Sequence, residues 1–148
     1  MRIRLALVAA FSTLLLSACA EELSVEQHVI ANLRAMEEAA EQGEHFDFMD
    51  YVSELFAGQY ASMDRRAFHR FMIFQLNQKR RLHAQFFPIH VLEISAGQAT
   101  AQFNLLVTGG TGLLPESGQL FDVKTRWQLE GNDWLLTEAD WEVARLPE

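Results

Sequence analysis

The sequence has little of several things, and each shortage removes a class of protein. One cysteine, Cys19, stands in 148 residues, so no disulfide framework holds the chain together. With 3 prolines and 8 glycines it is neither collagenous nor of low complexity. Basic residues number 12 against 20 acidic ones, a formal charge of −8. Nucleic-acid phosphates need a basic face, so DNA and RNA are excluded as partners. The longest apolar run, Leu5 to Leu16, is broken by Ser12 and Thr13 and falls short of the ~20 residues of a membrane-spanning helix. What the chain has is 49% hydrophobic and 11% aromatic residues, enough for one well-filled domain and too much for disorder.

The N-terminal run follows Arg2 and Arg4 and ends on small residues, the pattern of a secretory signal rather than a structural helix. Its last residues, Leu16-Ser17-Ala18-Cys19, resemble the lipobox of bacterial lipoproteins. That resemblance implies diacylglycerol on the Cys19 thiol, cleavage before Cys19 and acylation of the new amine. The expected division is then signal peptide 1–18, lipidated cysteine and short tether 19–23, and a domain over 24–146. Removing residues 1–18 takes Arg2 and Arg4 but no acid, which deepens the charge from −8 to about −10. Three acyl chains would anchor the protein firmly, where one is marginal. In the enterobacterial lipoprotein pattern, Asp after the cysteine retains a protein in the inner membrane. Ala20 stands there instead, which implies the periplasmic side of the outer membrane.

Beyond the tether the periodicity is helical. Ser24 and Gln27 form a capping box, and Val25, Val29, Leu33, Met36 and Ala40 make an apolar stripe, with Glu26, Arg34, Glu37, Glu38 and Glu41 off it. With Gly43 as C-terminal cap, this predicts a helix over Val25–Gln42. Phe46, Met49, Val52, Leu55 and Phe56 predict a second helix over Phe46–Leu55. Asp64 reads as the N-cap of a third, whose apolar face carries Phe68, Phe71, Met72 and Leu76. Lys79, Arg80 and Arg81 place cations at its C-terminal end, where the helix dipole favours them.

From Leu82 the period becomes two. Leu82–Ser95 reads as a strand that Pro88 confines to a sheet edge or bends into a bulge. After a turn at Ser95–Gln98, apolar Ala99, Ala101, Phe103, Leu105 and Val107 alternate with polar neighbours. Thr108–Gly118 reads as a loop. Phe121, Val123, Thr125, Trp127 and Leu129 form a third strand, and Gly131-Asn132 turns it into a fourth, Trp134 to about Val143.

The order of elements, the aromatic-rich third helix, and the ending Trp127…Gly131-Asn132-Asp133-Trp134-Leu135-Leu136…Trp141-Glu142 resemble the nuclear transport factor 2-like superfamily, also described as cystatin-like. The resemblance covers about Ser24 to Val143. It implies an α+β cone: three N-terminal helices packed in the concave face of a curved antiparallel meander sheet. Enzymes of that superfamily place an Asp, His or Tyr inside the cone, and its members often dimerise through the sheet face. Fold alone chooses no activity.

On the second and third strands the inward set has no ionisable residue, while Asp122, Lys124 and Arg126 fall on the outer parity. The fourth strand is the test. A two-residue turn pairs Leu129 with Trp134 and Trp127 with Leu136, and strict alternation would then bury Glu138 and Asp140. Burying two unpartnered carboxylates is costly, so a bulge near Thr137–Ala139 is expected, aiming Ala139, Trp141 and Val143 inward. The other arrangement makes an inward Asp140 a general base. His90 and Tyr60 are the remaining catalytic candidates. His83 and His90, seven apart on one strand, face opposite ways unless Pro88 shifts the register. His28, His45 and His69 share no metal-ligand spacing, so no metal site and no cofactor is implied. Gly109-Gly110-Thr111-Gly112 joins two strands rather than opening a helix, so it is no phosphate cradle. Leu113-Leu114-Pro115 at its tip suits a flap over the cone mouth, or a contact with a partner or lipid. Phe71, Phe103, Phe121, Trp127 and Trp141 are the candidate lining of a ligand cavity.

Two kinds of function fit. One is a lipid-anchored periplasmic module without catalysis, holding an apolar small molecule in the cone or meeting a second copy or another protein through its sheet. The other is an isomerase, dehydratase or hydrolase acting through an acid or histidine inside the cone. An open cavity with a buried acid favours the second; a filled apolar cone removes it.

Overall fold

A computed structural model describes residues 22–78, 81–110 and 117–145. The expected signal peptide, Cys19, the cations Lys79 and Arg80, and Leu113-Leu114-Pro115 lie outside the described residues. Helix α1 (Val25–Gln42) is followed by a short α2 (His45–Met49), then strands β1 (Val52–Gly58) and β2 (Met63–Asp64), helix α3 (Arg65–Gln78), and strands β3 (Arg81–Ser95), β4 (Gln98–Gly110), β5 (Ser117–Glu130) and β6 (Asp133–Val143).

The ends of α1 are those the sequence encodes. The Ser24 hydroxyl accepts from the Gln27 amide at 3.2 Å, and the Ser24 amide donates to the Gln27 side chain at 2.8 Å. Gly43 takes the left-handed conformation, φ +76°, which closes the helix. Val29, Leu33, Met36 and Ala40 are buried as the stripe requires. Asp64 caps α3 through its carboxylate, which accepts from the Ala67 amide at 2.7 Å.

The expected helix over Phe46–Leu55 is only half formed. It stops at Met49, and Val52–Gly58 is a strand instead. This strand pairs parallel with β6, Val52 beside Leu136 and Gly58 beside Ala139, and antiparallel with β2. The six strands run in the order β2-β1-β6-β5-β4-β3. The antiparallel meander β3–β6 is therefore the larger part of a mixed, curved and open sheet. Arg65 ties the new strand in: its guanidinium donates to the carbonyls of Val52 and Met49, both at 3.1 Å.

Of the sheet's register shifts, two bear on the cone's inner face. On β3 the register slips between Phe87 and His90, around Pro88. The extra residue keeps Phe86, Ile89 and Val91 against the core. It also leaves His83 and His90 opposite Thr108 and Gln102 on the same outer face. On β6, Trp127 pairs with Leu136 but Arg126 pairs with Glu138, so Thr137 is the extra residue. Its hydroxyl donates to the Arg126 carbonyl at 3.1 Å. Ala139 is buried and Trp141 packs on the core, while Val143, expected inside, is exposed. As one of the two edge strands, β3 presents unpaired backbone groups; Glu41 of α1 accepts from one of them, the Ala84 amide, at 2.9 Å.

Candidate functional site

The concave face is not evenly filled. Near the β3–β4 and β5–β6 turns, Val29, Ala99, Ala101, Trp127 and Trp134 are buried. Farther along the same strands, Leu105, Phe121 and Trp141 are only partly covered. Between them and the helices lies a cavity of about 420 Å³. Its walls are Leu33, Met36, Glu37 and Ala40 of α1, Phe48 of α2, Phe68, Phe71, Met72, Gln75 and Leu76 of α3, and inward side chains of β3 to β6. The size suits a small organic molecule.

Aromatic rings build one side. The Phe68 and Phe71 rings lie 5.9 and 5.4 Å from that of Trp141, and Phe56 stacks on Phe68 at 4.6 Å. Across the cavity Phe86 meets Phe103 edge to face at 4.9 Å. Of the residues expected to line a pocket, Phe71, Phe103, Phe121 and Trp141 stand on the wall, and Trp127 does not. Trp127 has 0% of its surface exposed. Its indole N–H donates to the Thr125 hydroxyl at 2.9 Å, and that hydroxyl donates to the Ala101 carbonyl at 3.0 Å. Thr125 is on the wall, but its hydroxyl is committed to these two bonds.

The three catalytic candidates are elsewhere. The bulge turns Asp140 to the outer side of β6, opposite Lys124, where its carboxylate accepts from the Tyr60 amide at 2.6 Å. Tyr60 is 81% exposed, within a left-handed run of Gln59, Tyr60 and Ala61 at φ 49°, 56° and 64°. His90 is exposed on the outer face of β3.

The acid that does reach the cavity is Glu37, the one ionisable side chain on its described wall. Expected off the apolar stripe, it lies four residues after Leu33 and three before Ala40, within that face. Its side chain is 16% exposed, and one oxygen, Oε2, meets the Arg34 guanidinium at 2.8 Å. Arg34 is half exposed and approaches from outside the wall. The second oxygen, Oε1, has no hydrogen-bond partner among the described residues and is not sealed from solvent.

Two other polar features flank the cone. A surface groove of about 320 Å³ between α1 and α2 carries Glu38, Glu44, Asp47 and Asp50. Among the described residues, no cluster of three or more histidine, cysteine or acidic side chains is arranged to hold a metal. His45 Nδ1 and His69 Nε2 lie 2.9 Å apart, a bond between α2 and α3 that their distant sequence positions do not announce. The His69 pKa is held below its ordinary 6.5, first by burial, then by His45 and Arg65.

No family model matches the chain, and no curated protein matches it either. Solved structures do. A candidate dehydratase from the nuclear transport factor 2-like family of Streptomyces avermitilis superposes with a TM-score of 0.70 at 12% identity, over 82% of this chain and 97% of that one. A nuclear transport factor 2-like protein of unknown function from Pseudomonas putida KT2440 gives 0.69 at 9% identity, over 86% and 93%. Bd1075 from Bdellovibrio bacteriovorus gives 0.68 at 6% identity over 82% of this chain, which spans 41% of that longer one. The fold is thus the nuclear transport factor 2-like, cystatin-like α+β cone.

Proposed function

We propose that this protein is a lipid-anchored component of the bacterial envelope whose cone binds an apolar small molecule. The observation that carries the binding reading is the cavity of about 420 Å³ behind Phe71, Phe121 and Trp141. Its wall is overwhelmingly apolar, so burial of an apolar ligand supplies the affinity and few polar groups set its orientation. The anchor rests on Leu16-Ser17-Ala18-Cys19 and on Ala20, which together favour the periplasmic side of the outer membrane. Purifying the protein from its own cells and analysing the small molecules released on denaturation tests the first part. Recovery of an apolar compound at near one per chain supports it, and an Ala139→Phe variant that fills the cavity should lose that compound. Labelling cells with a fatty-acid analogue tests the second: wild type should take the label and Cys19→Ala should not.

Catalysis in the same cavity is a second reading, and Glu37 is the observation that favours it. A carboxylate on the wall of an apolar cavity, with one oxygen unpaired among the described residues, suits proton transfer at carbon, as isomerisation or dehydration requires. Two structural neighbours are described as candidate dehydratases. The readings part on turnover. A molecule released unchanged, with no proton exchange from solvent, favours binding. Exchange that Glu37→Gln abolishes favours catalysis.

A further inference from the structure

We infer that Glu37 selects the ligand's polar end: the cone takes apolar molecules bearing a hydrogen-bond donor, a hydroxyl or an ammonium, and rejects those bearing a carboxylate. The inference rests on the small-molecule reading of the cavity and adds the chemistry of the head group.

Apart from the Trp141 indole, whose N–H only donates, four polar side chains lie on the described wall: Glu37, Gln75, Gln119 and Thr125. The Thr125 oxygen is occupied by Trp127 and Ala101. An amide both donates and accepts, so Gln75 and Gln119 do not discriminate between head groups. Glu37 does, because a carboxylate accepts only. Its Oε2 is held by Arg34 at 2.8 Å, which leaves Oε1 without a partner among the described residues and available to a donor. Arg34 itself is absent from the described wall, so its charge is not offered to a ligand acid.

Charge adds to the preference. A ligand carboxylate beside Glu37 gains no hydrogen bond from it and faces a like charge that water and the Arg34 guanidinium only partly offset. A hydroxyl or ammonium gains a hydrogen bond to an ionised acceptor, the stronger kind.

The test uses one apolar body with three heads: 2-naphthylmethanol, 2-naphthylmethylamine and 2-naphthoate, with naphthalene as the headless control. Each is titrated calorimetrically into the full chain held in lipid nanodiscs, against protein-free nanodiscs. The alcohol and the ammonium should bind at least about tenfold more tightly than the carboxylate. Glu37→Gln should erase most of that gap, chiefly by admitting the carboxylate. The wild-type ranking stands without the variant, should Glu37→Gln fold poorly. Equal binding of all heads, or tightest binding of naphthoate, overturns the inference while leaving the cavity reading intact. Failure of every probe, naphthalene included, overturns the cavity reading itself.

Discussion

If Glu37 serves a ligand rather than the fold, removing it should make the protein more stable. Glu37→Leu tests this, and its magnitude follows from four contributions. Burying a leucine side chain fully is worth about 1.5–3 kcal/mol. Glu37 is 16% exposed, which would count most of that. The cavity is open to water, however, so we take about half the gain, near 1 kcal/mol. Against it stands the Arg34–Glu37 pair, three residues apart on one helix with a half-exposed partner, worth about 0.2–0.5 kcal/mol. Helix propensity barely changes, since Leu and Glu rank close together. Relief of the carboxylate from partial desolvation adds to the favourable side.

The sum is a stabilisation of about 0.5–1 kcal/mol, or a rise of roughly 2–4 °C in melting temperature for a domain of this size. Urea and thermal unfolding followed by circular dichroism read it directly. In the same variant the naphthylmethylammonium probe should lose its advantage, so stability and recognition should move in opposite directions. Arg34→Met serves as the control and should change stability by less than about 0.5 kcal/mol. A Glu37→Leu protein less stable than wild type by 1 kcal/mol or more refutes the reasoning, because the carboxylate would then be holding the fold.

Thr125→Val should destabilise by about 2 kcal/mol in urea unfolding, since it strands the buried Trp127 N–H and removes the side-chain bond to the Ala101 carbonyl; Thr125→Ser, which keeps the hydroxyl, should cost about half as much. Ala61→Gly should raise the melting temperature, because Ala61 is exposed at φ 64° and relief of a left-handed alanine, about 1–2 kcal/mol, exceeds the added chain entropy of glycine, about 0.5–1 kcal/mol. Stability should also fall as pH drops below about 6.5: the unfolded chain binds a proton at His69 there, while the folded protein, whose His69 pKa is lowered, does not. His69→Asn should flatten that slope across the window from 6.5 down to the depressed folded value, and an unchanged slope would remove His69 as its source.

How much of this was legible depended on whether the signal was local. Ser24, Gln27 and Gly43 lie at the two ends of one helix and announce it by short-range hydrogen bonds and backbone conformation. Gly131 at φ +65° sets the β5–β6 turn, and from it the pairings of Leu129 with Trp134 and Trp127 with Leu136 follow. Even the Thr137 bulge was accessible, because the alternative buries Glu138 and Asp140 without partners. Strand β1 was not. Its partner β6 is parallel and some eighty residues away, and its register slip between Val52 and Ala57 breaks the alternation that would mark a strand. Phe46, Met49 and Val52 are three residues apart and therefore imitate a helix. The His45–His69 bond joins two elements through tertiary packing alone, and no spacing announces it.

The hollow was illegible for a different reason. Alternation reports which face of a strand is apolar; it is silent on whether the opposite wall arrives. Inward residues of β4 are apolar throughout, yet Ala99 and Ala101 are sealed while Leu105 and Val107 are only partly covered. On β5 the sequence Phe121, Val123, Thr125, Trp127 likewise passes from half-covered to fully buried. Side-chain size alone would have predicted the reverse on β4, with the larger residues filling their end. The determining factor is the distance from the sheet to α1 and α3, which the bulges at Pro88 and Thr137 influence by adding bend and twist. Glu37 belongs to this same argument. On a helix packed tightly against a sheet, a carboxylate four residues after Leu33 would need an internal partner or a route to solvent. Here the space beneath it supplies the route, so the one acid within the apolar stripe of α1 and the unfilled half of the cone explain each other.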